Sequence, residues 1–144
     1  MADETNELRV RLVTPERTLY DQPAAAVELP AKNGYMEVLY GHAPLLAELG
    51  AGDVRIHASS TAESGVDQIY NVSWGFVEVL GDRVTILAND ALKPEEIDTN
   101  RAKEQLDRGH KLWDEAGDSE ENYTHALDVI AEAEAKLATA SEKH

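Results

Sequence analysis

Cysteine is absent from this 144-residue chain, basic side chains are scarce, and long apolar runs are missing. Without cysteine, a disulfide framework, a thiol nucleophile and a thiolate-ligated zinc ion are all excluded. The 13 Lys and Arg residues stand against 28 Asp and Glu, which gives a net charge of −15. Since nucleic acids and anionic membrane surfaces bind basic side chains, this balance argues against both as partners. The longest weakly polar stretches fall far short of the ~18 residues of a membrane-spanning helix, so we expect no direct membrane insertion.

The composition changes near residue 90, and this change predicts two domains. Residues 1–90 hold nearly all the β-branched and aromatic residues and the turn glycines, whereas residues 91–144 are rich in Ala, Glu, Asp and Lys. The first composition is typical of strands and the second of exposed helices. The net charge is −8 in the first part and −7 in the second, so the acidity is not confined to a tail. A hydrophobic fraction of 42% is sufficient for a folded core.

The first domain reads as a series of short strands. Leu8, Val10 and Leu12 alternate with arginines, a period of two that leaves one face of the strand exposed to water. Gly81 and Asp82 form a two-residue loop suited to a tight hairpin turn. Such strands with frequent turn signals predict an antiparallel β-sandwich or barrel. Four prolines are expected between the strands, where a missing N–H does least harm: Pro15, Pro23, Pro30 and Pro44.

The second domain reads as two helices in an antiparallel hairpin. Pro94 suits a first helical turn, Gly117 ends the first helix, and Asp118 or Ser119 can cap the second. Each helix carries one narrow apolar stripe, and the stripes are built largely of small residues. Little apolar area holds such a hairpin together, so we expect it to be weakly held and movable. The stripes are Ala102, Leu106, Gly109, Trp113 and Ala116, then Tyr123, Ala126, Ile130, Ala133 and Leu137.

Motifs that carry catalytic or metal chemistry are absent from the sequence. It contains no Gly-x-Ser-x-Gly nucleophile elbow, no phosphate-binding glycine loop and no His-Glu-x-x-His zinc motif. His57 lies on the polar side of a strand and is interpreted as a solvated surface residue. His110 and His125 lie on the two helices, where a shared metal site is the alternative to two surface histidines. We therefore expect no catalytic residues, no metal and no cofactor.

Several segments together resemble the epsilon subunit of the F-type rotary ATP synthase. Residues 34–46, GYMEVLYGHAPLL, are similar to that family's glycine-rich segment ending in Pro-Gly-His-Ala-Pro-Leu. Residues 73–79, SWGFVEV, and residues 84–88, VTILA, are similar to its Gly-Gly-Phe-x-Glu-Val and Val-Thr-Val-Leu-Ala motifs. Residues 97–102, IDTNRA, are similar to the opening of its first C-terminal helix. Residues 8–16, LRVRLVTPE, resemble the first strand of that family. These segments occur in the family's order and span nearly the whole chain.

The resemblance implies a non-catalytic subunit of the central stalk, with a β-sandwich followed by a helical hairpin. The β-domain is expected to contact the gamma subunit and the ring of c subunits, so that proton translocation is coupled to ATP synthesis. The hairpin is expected to fold down on the β-domain or to extend toward the alpha and beta subunits of the catalytic head, where it restrains ATP hydrolysis. The complex would hold the chain peripherally on the cytoplasmic face of a bacterial plasma membrane.

The resemblance also implies two sets of functional residues. The first is a loop that meets the c ring and gamma: Tyr35, Met36, Glu37, Gly41 and His42. In this loop Tyr35, Glu37 and Tyr40 depart from the family's usual residues, and an internally bonded turn is the alternative role for His42. The second set is a site for ATP as a regulatory ligand: Ile97, Asp98, Arg101 and Arg108.

Two further interpretations compete with these roles. A capped, charged start of the first helix accounts for Asp98 and Arg101 without any ligand. In the second helix, nucleotide-binding members carry basic residues where this chain has Glu132 and only one basic residue, Lys136. A carboxylate beside a triphosphate costs Coulomb energy. A free-standing ATP-sensing module is the alternative function, and a small hydrolase would need convergent titratable groups that the sequence does not show.

Overall fold

The computed structural model describes residues 7–59 and 65–142, which divide into two compact units whose boundary in the sequence lies between Ala91 and Leu92. Strands fill the first unit and helices the second, which confirms the predicted fold class. The strands are β1 Leu8–Val13, β2 Thr18–Ala31, β3 Gly34–Leu39, β4 His42–Ala58, β5 Gln68–Gly81 and β6 Arg83–Leu92. The helices are a 3-10 turn Pro94–Glu96, α1 Thr99–Asp114 and α2 Glu120–Ser141.

The strands form one sheet that closes on itself. Their order is β1-β6-β5-β4-β2-β3, and β1 also pairs with β2, so β3 alone lies outside the closed ring of strands. The β2–β3, β2–β4, β4–β5 and β1–β2 pairs are antiparallel. The β1–β6 pair is parallel, which joins the first strand of the unit to its last strand. Closure removes most free strand edges and encloses the core.

Alternating side chains of these strands supply the core of the first unit. In β1, Leu8, Val10 and Leu12 are buried while Arg9 and Arg11 point to solvent, as their period predicts. Burial of such aliphatic side chains is the main stabilising contribution, about 1.5–3 kcal/mol for each fully buried one. The completely buried members include Val10, Leu12, Val27, Leu29, Val38, Val54, Val72, Val77, Val84 and Ile86.

Only one of the four prolines expected between strands lies there. Pro15 precedes β2, whereas Pro23 and Pro30 lie within β2 and Pro44 lies within β4. The prediction is wrong for these three because long strands can contain irregular positions at which the sheet needs no backbone N–H donor, so proline fits there. Pro30 lies in the register shift between Glu28 and Ala31, and Pro44 lies in the shift between His42 and Leu45.

The helices of the second unit pack as a hairpin around small residues. Asp98 and Ser119 cap α1 and α2 by accepting the N–H groups of Arg101 and Asn122. Gly117 has a φ of +60° in the connection, as expected of a residue that ends a helix. The buried helical residues are Ala102, Gly109, Ala126, Ala133 and Thr139. No helix in the described part of the chain is long and apolar enough to cross a membrane.

Candidate interaction surfaces

Strand β3 carries three of the residues that the sequence predicted in a contact loop. Tyr35, Met36 and Glu37 pair with Pro30, Leu29 and Glu28 of β2. The prediction of a loop is wrong at these residues because antiparallel pairing with β2 satisfies their backbone groups. Within this strand Val38 is fully buried, while Tyr35 is 62% exposed. Tyr35 and Glu37 are two residues apart and therefore present their side chains on the same side of β3.

Tyr35 is exposed but also anchored to the sheet. Its hydroxyl oxygen accepts the backbone N–H of Asp53 at 2.9 Å. Gly52 makes room for it, since a Cβ at Gly52 would lie 2.4 Å from the Tyr35 hydroxyl. The ring of Tyr35 is thus held against β4 while most of its surface faces solvent. Such a fixed aromatic side chain loses little entropy on binding, which suits an interface.

The remaining two residues of the predicted contact loop form the turn from β3 to β4. Gly41 has a φ of +86°, and its N–H donates to the carbonyl of Gly81 at 2.8 Å. His42 begins β4, and its Nδ1 lies 2.7 Å from the carbonyl oxygen of Ala43. This local bond agrees with the internally bonded role weighed for His42. The β3–β4 turn therefore lies beside the end of β5.

A second exposed group on the first unit is apolar, and we call it the outer apolar surface: Leu46, Phe76, Leu80 and Leu87. These residues lie on β4, β5 and β6, and all four are exposed. On β5 and β6 they are next to buried residues, so they face away from the core. Leu46 is 70% exposed and Phe76 and Leu87 are each 51% exposed. The pairing of Leu46 with Glu78 and of Glu48 with Phe76 places Leu46 and Phe76 on the same side of the sheet. Several large apolar side chains on one solvent-facing side are typical of a protein–protein interface.

His57 of β4 forms a polar cluster that the sequence analysis missed. Its Nε2 lies 2.6 Å from Oε2 of Glu28, and its Nδ1 lies 3.2 Å from Oδ2 of Asp67. His57 does lie at the surface, with its side chain 38% exposed, but the sequence did not show these two partners, which lie 29 and 10 residues away. The hydrogen bond to Glu28, followed by the bond to Asp67, raises the pKa of His57 above its ordinary value. The N–H of Ala58 and then His57 lower the pKa of Asp67.

The four residues predicted to bind ATP lie on α1 or directly before it. Ile97 ends the 3-10 turn and is half-buried, and Asp98 is the N-cap of α1. Arg101 and Arg108 are both exposed. Since they are seven residues apart, they lie on one side of the helix, about two turns from each other. Asp98 therefore has a structural partner, whereas the two guanidinium groups face solvent.

The acidic residue of α2 that departs from nucleotide-binding members is held by its neighbours. Oε1 of Glu132 lies 3.1 Å from Nζ of Lys136, and Oε2 accepts the side-chain amide of Gln105 at 3.2 Å. Gln105 also donates to the carbonyl of Val129. These side chains are half-buried, so Glu132 links α1 to α2. His110 and His125 are both exposed, and neither belongs to a group of three or more metal-ligating side chains within the described residues.

Comparison with known proteins gives the same family for nearly the whole chain. Residues 7–94 match the family model described as "ATP synthase, Delta/Epsilon chain, beta-sandwich domain". The ATP synthase epsilon chain of Solibacter usitatus is 40% identical over 94% of this chain and 97% of its own length. That of Koribacter versatilis is 41% identical over 74% of this chain and 71% of its own. The chloroplastic epsilon chain of Pyropia yezoensis is 31% identical over 93% and 96%.

Solved structures share the fold. A chain of the Euglena gracilis mitochondrial ATP synthase, in a structure of its OSCP, F1 and c-ring parts, superposes with a TM-score of 0.75. It is 22% identical, and the match covers 95% of the present chain and 83% of that chain. A chain of the central stalk and c-ring structure from Tetrahymena thermophila superposes with a TM-score of 0.68 at 13% identity. The match covers 93% of the present chain and 96% of that chain.

Proposed function

Since this chain belongs to the family of ATP synthase epsilon chains, we propose that it is a non-catalytic subunit of the central stalk of an F-type ATP synthase. In this role it couples the rotation of the c ring to the gamma subunit and so to ATP synthesis. Family membership over both units carries the proposal. The complex would hold the chain peripherally on the cytoplasmic face of a bacterial plasma membrane.

The outer apolar surface supports binding to the gamma subunit. A subunit that transmits torque needs a large and stiff interface, and the closed sheet presents exposed apolar residues on neighbouring strands. Burial of the exposed Leu46 and Phe76 side chains against gamma would stabilise the complex by about 25 cal/mol for each Å² of apolar surface covered. An aspartate at either position would leave a charge desolvated in the interface.

Co-elution with the gamma subunit of the same organism tests this assignment. Wild-type chain is expected to elute with gamma in a one-to-one complex, and the double variant Leu46→Asp/Phe76→Asp is expected to elute alone. Val66→Asp is the matched control, because Val66 is 62% exposed and precedes β5, outside the outer apolar surface. Failure of the wild-type chain to bind gamma contradicts the proposal. If the double variant binds gamma as well as the wild-type chain does, the interface lies on another surface of the chain.

We assign contact with the c ring to Tyr35, Met36, Glu37, Gly41 and His42. Exposed Tyr35 and Glu37 on one side of β3, together with the adjacent β3–β4 turn, support this assignment. A photoreactive amino acid at position 35 is expected to cross-link to c in the assembled complex. The same group at position 66 is the control. A cross-link from position 66 alone contradicts the assignment.

The helical hairpin is the regulatory part of the proposal, since its thin stripes of small residues allow more than one packing arrangement. It restrains ATP hydrolysis by reaching the alpha and beta subunits of the catalytic head. Truncation after Lys93 is the appropriate test, because Ala91 lies in β6 and its carbonyl accepts a bond from Arg17. The complex with the truncated chain is expected to hydrolyse ATP faster than the full complex. Equal rates contradict the regulatory role.

ATP binding by the hairpin stays a prediction, and its support is the pair of exposed guanidinium groups on α1. Arg101 and Arg108 suit phosphate oxygens, whereas Asp98 is engaged as a cap and Lys136 pairs with Glu132. Calorimetric titration of the full chain with ATP tests the prediction. Saturable heat that disappears in Arg101→Ala and persists in Arg83→Ala, a control on β6, supports ATP binding. Absence of heat, or equal heat from both variants, contradicts it.

A further inference from the structure

Cross-strand pairing gathers one histidine and two carboxylates on the outward side of β2, β3 and β4. Glu28 lies directly opposite Glu37 on β3 and opposite Arg55 on β4, so the three side chains share one side of the sheet. His57 is two residues beyond Arg55 and shares that side as well. One ligand atom from each of Glu28, Glu37 and His57 lies within 4.8 Å of the others. We propose that Glu28, Glu37 and His57 form a binding site for a divalent transition-metal ion such as Zn²⁺.

Asp67 adds a hydrogen bond that orients His57 within the cluster. Its Oδ2 lies 3.2 Å from Nδ1 of His57, while its Oδ1 accepts the N–H of Ala58 at 2.8 Å. The backbone bond fixes the carboxylate, which therefore favours a proton on Nδ1 and turns Nε2 toward Glu28. Histidines that bind metals in proteins are commonly oriented in this way, by a carboxylate that accepts the other ring N–H. Asp67 is thus a positioning residue of the site.

The donor set selects the class of metal ion. One imidazole nitrogen with two carboxylate oxygens suits Zn²⁺, Co²⁺ or Ni²⁺, whereas Mg²⁺ and Ca²⁺ prefer oxygen ligands alone. With bonds of about 2.1 Å, tetrahedral ligands lie roughly 3.4 Å apart. The 2.6 Å separation between His57 and Glu28 would have to open by less than an ångström. Both side chains are more than one-third exposed and can turn that far, and a fourth position remains open to water.

The nearby charges favour a cation at this place. Glu28, Glu37 and Asp67 are all carboxylates, and Arg55, opposite Glu28, is a positive group on the same side of the sheet. The guanidinium of Arg55 lies 3.7 Å from Oδ2 of Asp53, farther along β4. A bound ion would bridge β2, the outermost strand β3 and β4, and Asp67 would connect the segment before β5 to it. The site goes beyond the proposed role in the stalk and does not depend on it.

Calorimetric titration of the full, untagged chain with Zn²⁺ tests the inference, in buffer without chelators. Wild-type chain is expected to bind one equivalent, and millimolar Mg²⁺ is expected not to displace it. His57→Gln and Glu37→Gln are each expected to weaken binding at least tenfold, and Asp67→Asn about 10–100-fold. His125→Gln is the matched control, since His125 is an exposed histidine of α2, and it should bind as wild type does.

Absence of one-to-one Zn²⁺ binding would overturn the inference, as would binding by His57→Gln with wild-type affinity. Circular dichroism of each variant without metal guards against misfolding. A second measurement needs no variant. Nitrogen-15 NMR of the His57 imidazole ring should show Zn²⁺ on Nε2 and a retained proton on Nδ1. Zinc on Nδ1 of His57, or shifts confined to other histidines, would also contradict the site.

Discussion

Gly109 of α1 lies directly against Ile130 of α2. A Cβ at position 109 would be 2.7 Å from Cγ1 of Ile130 and 3.2 Å from its backbone nitrogen. A side chain cannot be added at such distances without moving one helix away from the other. Glycine is unfavourable in a helix by about 1 kcal/mol relative to alanine, so close packing explains its presence here.

Gly109→Val is therefore expected to destabilise the hairpin by about 1–3 kcal/mol, as overpacking does. Hydrogen exchange of the α1 amide groups measures the effect within the full chain. His110→Val is the matched control, because it puts the same side chain at the next, exposed position of α1. Equal exchange in the two variants would show that the close approach of the helices does not matter for stability.

Gly75→Ala is expected to destabilise the first unit strongly. Its Cβ would lie 1.9 Å from the carbonyl oxygen of Leu87, and its φ is +132°. Gly34 has a similar φ of +134° with nothing within 4 Å of its Cβ, which makes Gly34→Ala the matched control. Gly34→Ala should lower the free energy of unfolding only through backbone strain, by about 1–3 kcal/mol. Urea denaturation measures both variants, and equal losses would contradict a role for the contact with Leu87.

The stability of the first unit is expected to fall as the pH rises through the pKa of His57. Because Glu28 and then Asp67 raise the folded-state pKa of His57, protonated His57 stabilises the fold. This contribution is complete below the unfolded-state pKa of about 6.5 and disappears above the raised folded-state pKa. Urea denaturation at several pH values, with EDTA present, measures the loss. His57→Gln should lack this step and His125→Gln should keep it; a step that persists in His57→Gln has another cause.

Asp98→Ala is expected to destabilise α1 by about 1 kcal/mol, because Oδ1 of Asp98 accepts the N–H of Arg101 at 3.1 Å. Asp98→Asn should cost far less, because asparagine caps helices about as well as aspartate. Hydrogen exchange of the first α1 amides compares the variants. Loss of exchange protection in Asp98→Asn equal to that in Asp98→Ala would mean that the charge of Asp98, not its cap, stabilises the helix.

Local sequence patterns were sufficient for prediction where a structural feature depends only on residues that are close together in the chain. The alternation of Leu8, Val10 and Leu12 with arginines predicted the buried side of β1, and that prediction is confirmed. Ser119 was one of two predicted caps and is the one that accepts the N–H of Asn122. Capping and strand alternation need only residues a few positions apart, which is why the sequence shows them.

Strand pairing explains why the predictions were wrong for the contact segment and for three of the prolines. The segment with Tyr35 and Glu37 is a strand because β2 supplies backbone partners, and three prolines fit within strands because the register shifts there or the ladder needs no N–H. The parallel β1–β6 pair joins strands more than 70 residues apart, as Val10 opposite Val84 shows. None of these relationships leaves a local signal.

The sequence by itself therefore determined the division into a strand-rich and a helical part, the buried side of β1, the helix caps and the absence of known catalytic motifs. Only the tertiary structure decided that Glu28, Glu37 and His57 meet, that Asp67 orients His57, and that Leu46 and Phe76 face outward together. The physical reason is register: a shift of one residue between two strands would turn every side chain to the opposite side of the sheet. That register is fixed by packing of the closed sheet as a whole.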